Sequence, residues 1–188
     1  MALQDVSARL TAPLEAISTP VLTTGARLVF AGALLLYFWG SGLTKLGAGL
    51  FGFLNPDFGA YVQIFPRAVE AAGYDPSGLG IFHYLVVTAG TVAEFVLPAL
   101  IILGLFTRLA ALGMIVFVIV QSWTDVVGHG ALTNGTFGAW FDRASDALIA
   151  DQRAFWVLAL LILVLKGGGP LSLDRLVFGA RAPEPALA

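Results

Sequence analysis

Residues 81–108 read IFHYLVVTAGTVAEFVLPALIILGLFTR, an apolar run with one carboxylate, Glu94, near its middle. A helix that spans a membrane takes about 20 mostly apolar residues, because hydrocarbon about 30 Å thick is crossed at about 1.5 Å per residue. The run predicts such a helix, and Glu94 falls about 20 Å along it. An ionised carboxylate at that depth costs at least about 2.5 kcal/mol, so Glu94 is expected to face a bundle interior and find a partner, a cavity or a proton. Four residues on, Pro98 has no N–H to give the Glu94 carbonyl, which predicts a kink.

Composition extends this reading to the whole chain. Of 188 residues, 58% are hydrophobic and 12% charged, and the mean hydropathy is +0.88, more apolar than a soluble domain of this size hides in its core. Segments 24–45, 81–106, 108–123 and 152–166 meet or approach spanning length. The predicted fold is all-α, an integral membrane four-helix bundle forming a single membrane domain over 1–188. A tight turn at Thr107 and Arg108 makes the second and third spans an antiparallel hairpin. With no cysteine, the chain cannot form a disulfide, exchange thiols, attach haem through sulfur or hold an iron–sulfur cluster by thiolates. It carries no flavin motif. A net charge of −2 without a Lys/Arg cluster gives no sign of nucleic-acid binding.

Basic residues set the expected orientation. An even number of spans puts both termini on one side, with Arg9, Arg27, Arg108, Lys166, Arg175 and Arg181, against Lys45, Arg67, Arg143 and Arg153 on the other. Both termini are therefore expected in the cytoplasm. The first span reads as retained rather than as a cleaved signal, since its leading region is long and not basic. Leu3, Val6, Leu10, Leu14 and Ile17 recur at helical steps, so residues 2–17 read either as an amphipathic helix flat on the membrane or as a disordered tail. In outer loop 46–80, Pro66 and Gly73 bracket one short helix. In outer loop 124–151, the run AWFDRASDALIADQ predicts an amphipathic helix, and the aromatic residues of both loops predict a cap over the outer end. Within the C-terminal segment 167–188, Gly167–Gly169 and Pro170 stop the fourth span, Ser172 caps a short helix over 173–178, and the last residues read as disordered.

Polar side chains concentrate toward the outer end. His83 precedes Glu94 by eleven residues, close to three whole turns, with Val87, Gly90 and Thr91 on or beside the same stripe. On the first span Tyr37, Ser41, Thr44 and Lys45 form a second stripe, where Gly40 and Gly42 allow a neighbour to approach. Structural readings stand beside these: Glu94 as an acid paired with Lys45 or a hydroxyl, Trp39, Trp123, Trp156 and Tyr84 as an interfacial belt, Arg153 as a snorkelling residue. Asp125 and His129 have helical spacing, but Gly128 and Gly130 weaken a helix there, and no metal site is predicted.

Three blocks, WGSGLTKL, AEFVLPALIILGLFTRLAALG and LKGGGPLSLDRL, together resemble the DoxX family of small four-helix bacterial membrane proteins. The resemblance aligns Lys45, Glu94 and the motif at Ser172–Asp174 with the family pattern. It implies a membrane subunit of a redox complex, similar to that of thiosulfate:quinone oxidoreductase, with electrons supplied by a partner protein. In that reading Glu94 and His83 relay protons, while Tyr37, Trp39, Lys45 and Thr91 line a quinone slot. The alternatives are a noncatalytic anchor or assembly factor and, less favoured by four helices without broken repeats, a small-molecule transporter. Expected partners are the lipid bilayer, a redox partner in a hetero-complex, and further copies of the chain.

Overall fold

The computed structural model describes residues 3–179, with side chains from Leu10 onward. Its helices are α1 (Leu3–Leu43), α2 (Phe58–Ile64), α3 (Pro66–Ala71), α4 (Ile81–Leu103), α5 (Thr107–Gly128), α6 (Gln152–Lys166) and α7 (Leu173–Phe178). Three are long and apolar enough to cross a membrane: the Leu10–Leu43 part of α1, α4 and α5. The chain is a helical membrane protein. At 15 residues, α6 is about 22 Å long, short of the hydrocarbon thickness.

α1 and α5 each pack against both α4 and α6, so the four long helices close a ring. Phe38 sits at its centre, fully buried, with the rings of Phe117 and Trp156 edge-on at 5.9 and 6.2 Å. Phe30, Ile101, Met114, Leu160 and Leu163 fill the layers around it, and Ala110 and Ala111 let the backbone of α5 come close. Outward-facing leucines such as Leu36, Leu109, Leu158 and Leu165 stay exposed. A water-soluble bundle would carry polar residues there; a bilayer makes the apolar surface the favourable one.

At one end of the ring α4 and α5 form the expected hairpin, but the turn comes earlier than Thr107. Gly104 takes the left-handed conformation (φ 68°) that ends α4, and Thr107 already begins α5. The Asp174 carboxylate accepts from the backbone N–H groups of Phe106 (2.6 Å) and Thr107 (2.9 Å). Arg27 binds the carbonyls of Ile101 (3.0 Å), Gly168 (3.1 Å), Leu171 (2.6 Å) and Ile102. One guanidinium thus satisfies carbonyls at the end of α4 and in the glycine-rich segment after α6. Ser172 caps α7 as expected, accepting from Arg175 N–H at 3.3 Å.

At the other end the loops depart from expectation in two ways. The first holds two α-helices rather than one, with short 3-10 turns at Gly52–Leu54 and Pro76–Gly78: α2, capped by the Asp57 carboxylate on Gly59 N–H at 2.7 Å, precedes α3, which opens on Pro66. The second holds no helix over residues 138–151. There Asp142 accepts from Ala144 N–H and Asp151 from Ala147 N–H, and Phe141 and Ala150 adopt positive φ; side-chain acceptors have displaced the helical ladder. The cap is only partly realised. Phe65 packs on His83 and the Tyr84 hydroxyl donates to Leu54 O, but Phe51, Trp140 and Phe141 stay exposed. The N-terminal stretch does not form a separate flat helix or an irregular tail: it continues α1, with Leu10, Leu14 and Ile17 exposed. The last residues, from 180, lie outside the described ones.

Candidate functional site: an ion pair buried between two helices

α1 ends at Leu43, and the chain turns at once, Lys45 N–H donating to Gly42 O at 3.0 Å. That turn sends the Lys45 side chain back along the end of α1 toward the middle of α4. Its Nζ lies 3.0 Å from each oxygen of the Glu94 carboxylate, and the two side chains are only 6% and 3% exposed. Ser41, one turn before Lys45, completes the group: its hydroxyl donates to Glu94 Oε1 at 3.0 Å and accepts from Lys45 Nζ at 2.7 Å. Lys45 Nζ also lies 3.2 Å from Ser41 O. Such closure is what lets two opposite charges persist away from water, since desolvation is offset only where pairing and hydrogen bonds are both complete.

Trp39 borders this cluster. Its indole N–H donates to Phe95 O at 3.2 Å, its ring tilts against Phe95 with centroids 6.5 Å apart, and it is 37% exposed. The Glu94 carbonyl next to that of Phe95 is the one Pro98 leaves without its helical donor. Gly42 makes the close approach possible, because a Cβ there would meet the Phe95 ring at 2.7 Å; a Cβ at Gly40 would meet nothing within 4 Å.

The other predicted site residues do not bond to the cluster. Tyr37 faces α5 and α6, accepting from Gln121 Nε2 at 2.9 Å and stacking edgewise on Trp156. Thr91 is fully buried, with its hydroxyl turned back to Val87 O at 2.8 Å. His83 sits near the start of α4 with its ring edge-on to Phe65 at 4.8 Å, and its buried Nδ1 has no partner among the described residues. Eleven residues of helix, about 16 Å, separate it from Glu94. The structure therefore gathers Lys45, Glu94 and Trp39, adds Ser41, places Thr91 one turn from Glu94 with its hydroxyl bonded to Val87 instead, and leaves Tyr37 and His83 apart. Ser41 was visible in the polar stripe at helical spacing from Lys45.

A second ion pair, buried at its arginine and partly exposed at its aspartate, corrects the snorkelling expectation. Arg153 is 3% exposed; its Nη2 contacts Asp125 Oδ2 at 2.7 Å and its Nη1 donates to Ser122 Oγ at 2.9 Å. It ties the start of α6 to the end of α5 rather than reaching for water. His129 does not join Asp125: its Nε2 lies 2.8 Å from Gln63 O.

Fold and site together define a helical integral membrane protein whose spanning helices are joined by an ion pair shielded from lipid. A family model described as DoxX matches residues 22–125, more than half of the sequence. The chain belongs to the DoxX family. The match takes in Lys45 and Glu94 and stops before α6 and the Ser172–Asp174 motif. No curated protein and no solved structure gives a significant match.

Proposed function

We propose that the chain is the membrane subunit of a redox complex that holds quinone at the flank formed by α1 and α4, where a redox centre of a partner protein supplies the electrons directly to the quinone. The observation that carries this reading is the Lys45–Glu94–Ser41 cluster, an exchangeable proton held at mid-helix beside the lipid-exposed edge of Trp39. Quinone, when bound, takes up electrons and protons together. The residues present fit it in part: Trp39 and Phe95 offer aromatic walls, and Glu94 with Lys45 holds a proton. The donors of Lys45 and Ser41 are turned on Glu94, so a carbonyl reaches them only if the cluster opens. His83 would be a second proton-carrying group nearer the helix start, linked to Glu94 only through water or side-chain motion. Mass spectrometry of gently solubilised protein should find co-purifying quinone, and Glu94→Gln should slow electron transfer in the intact complex. Protein free of quinone, together with unchanged transfer in that variant, would remove this reading.

A second reading, a noncatalytic anchor for a partner enzyme, is favoured by the saturation of the Glu94 carboxylate and by the exposed rings of Phe51, Trp140 and Phe141. Under it Glu94→Gln lowers thermal stability and partner retention but leaves the chemistry of the complex untouched.

The topology we propose has four crossings in the bacterial inner membrane, α6 completing the fourth with the segment that Arg27 ties down, and both termini cytoplasmic. A reporter active only in the periplasm should stay dark at either terminus; a signal there would reverse the orientation.

A further inference from the structure

On the edge of the ring opposite the ion pair, α5 and α6 flank an open groove of about 480 Å³. Val118 on α5 and Val157 and Leu161 on α6 form its walls, and Trp140 and Arg153 close its loop end. Trp140 is fixed there by its indole N–H on Ala150 O at 2.8 Å. Since α5 is a spanning helix, the surroundings of this groove are hydrocarbon. From Arg153 to Leu161 it runs about 12 Å along α6, close to the roughly 15 Å of hydrocarbon in one leaflet.

Arg153 supplies the polar end. Its charge is balanced by Asp125 and its two terminal nitrogens are engaged, but its Nε–H is buried and has no partner among the described residues. A buried donor without an acceptor is unfavourable. The missing acceptor is a neutral one, because the guanidinium charge is already answered.

We infer that this groove holds one acyl chain of a membrane glycerophospholipid from the leaflet on the loop side, with an ester carbonyl accepting from Arg153 Nε–H once a small turn of that side chain brings the buried donor to the groove. One leaflet's worth of groove suits a chain anchored at the interface. The neutral Arg153–Asp125 pair selects the ester oxygen rather than the phosphate.

The test uses the intact protein in micelles, titrated with phosphatidylcholine of one chain length in its diacyl ester and dialkyl ether forms and read by native mass spectrometry. One ester lipid per chain should be retained about fivefold more strongly than the ether, the effect of a single hydrogen bond. Val157→Trp, which fills the groove, should lose that lipid while melting like the wild type. Equal retention of ester and ether lipids would overturn the proposal. So would undiminished binding by a normally melting Val157→Trp, or an isoprenoid quinone that displaces the phospholipid from this groove.

Discussion

Replacing Lys45 by methionine removes one partner of a pair in which both side chains are at least nine-tenths buried. Four hydrogen-bonding contacts vanish, two to Glu94 and two to Ser41, at its hydroxyl and its carbonyl. What remains is a carboxylate held by one hydroxyl in an apolar bundle. Breaking a buried pair from one side costs about 3–5 kcal/mol, and a lone charge in the membrane at least about 2.5. Because Glu94 can take up a proton and keep its bond to Ser41, the lower part of that range applies, about 3 kcal/mol. Removing both partners avoids the stranded charge: Lys45→Met with Glu94→Met should cost no more than about 1 kcal/mol. Reversible unfolding by dodecyl sulfate in mixed micelles, carried through the double-mutant cycle, gives the coupling directly. Additive costs, with coupling under about 0.5 kcal/mol, would mean that the pair does not hold α1 to α4.

Two glycines two positions apart on α1 should respond oppositely. Gly42→Ala drives a methyl into the Phe95 ring and should destabilise by about 1–3 kcal/mol, whereas Gly40→Ala meets open space and should stabilise by about 0.5–1 kcal/mol, both measured by the same titration. Asp174→Asn weakens two charge-assisted bonds to the α4–α5 turn and should cost about 1.5–3 kcal/mol; faster amide exchange at Phe106 and Thr107 would locate the loss. Asp75, outside the spans, has its pKa lowered below the ordinary 3.8 by hydrogen bonds from Ser77. A depressed carboxyl group stabilises its turn above the unfolded value and ceases to as pH falls through the folded one. Protection of Ser77 N–H against exchange, taken relative to the intrinsic rate at each pH, should therefore fall only on acidification below the ordinary carboxylate range, and Asp75→Asn should remove that pH dependence.

Glu94 and Lys45 were legible because each stands nearly alone. A single acid in a spanning run must have a partner, and Lys45 closes the polar stripe of the preceding helix. Their meeting was only one of the open alternatives, since spacing fixes faces within a helix but not the rotation of one helix against another. That same gap separated Tyr37 from Trp39: both are aromatic and near the loop end, yet they point to opposite neighbours. Arg153 was misread for a related reason. A cation at a helix start resembles an interfacial anchor until Asp125, on another helix, is seen to face it. Apolar spacing within residues 138–151 suggested a helix, but Asp142 and Asp151 engage nearby N–H groups locally, a competition that periodicity does not register. The short helix after Ser172 was readable because its cap acts within a few residues.

The contact between Lys45 and Glu94 can be measured without any substitution. The lysines of the chain are Lys45 and Lys166, and the latter ends α6 at the opposite end of the ring from the loops. Protein carrying ¹⁵N-lysine and ¹³C-glutamate, reconstituted in lipid bilayers, should show strong dipolar dephasing between Nζ and a side-chain carboxyl carbon, as required by nitrogen 3.0 Å from both oxygens. Dephasing no greater than that of uncoupled spins would contradict the account.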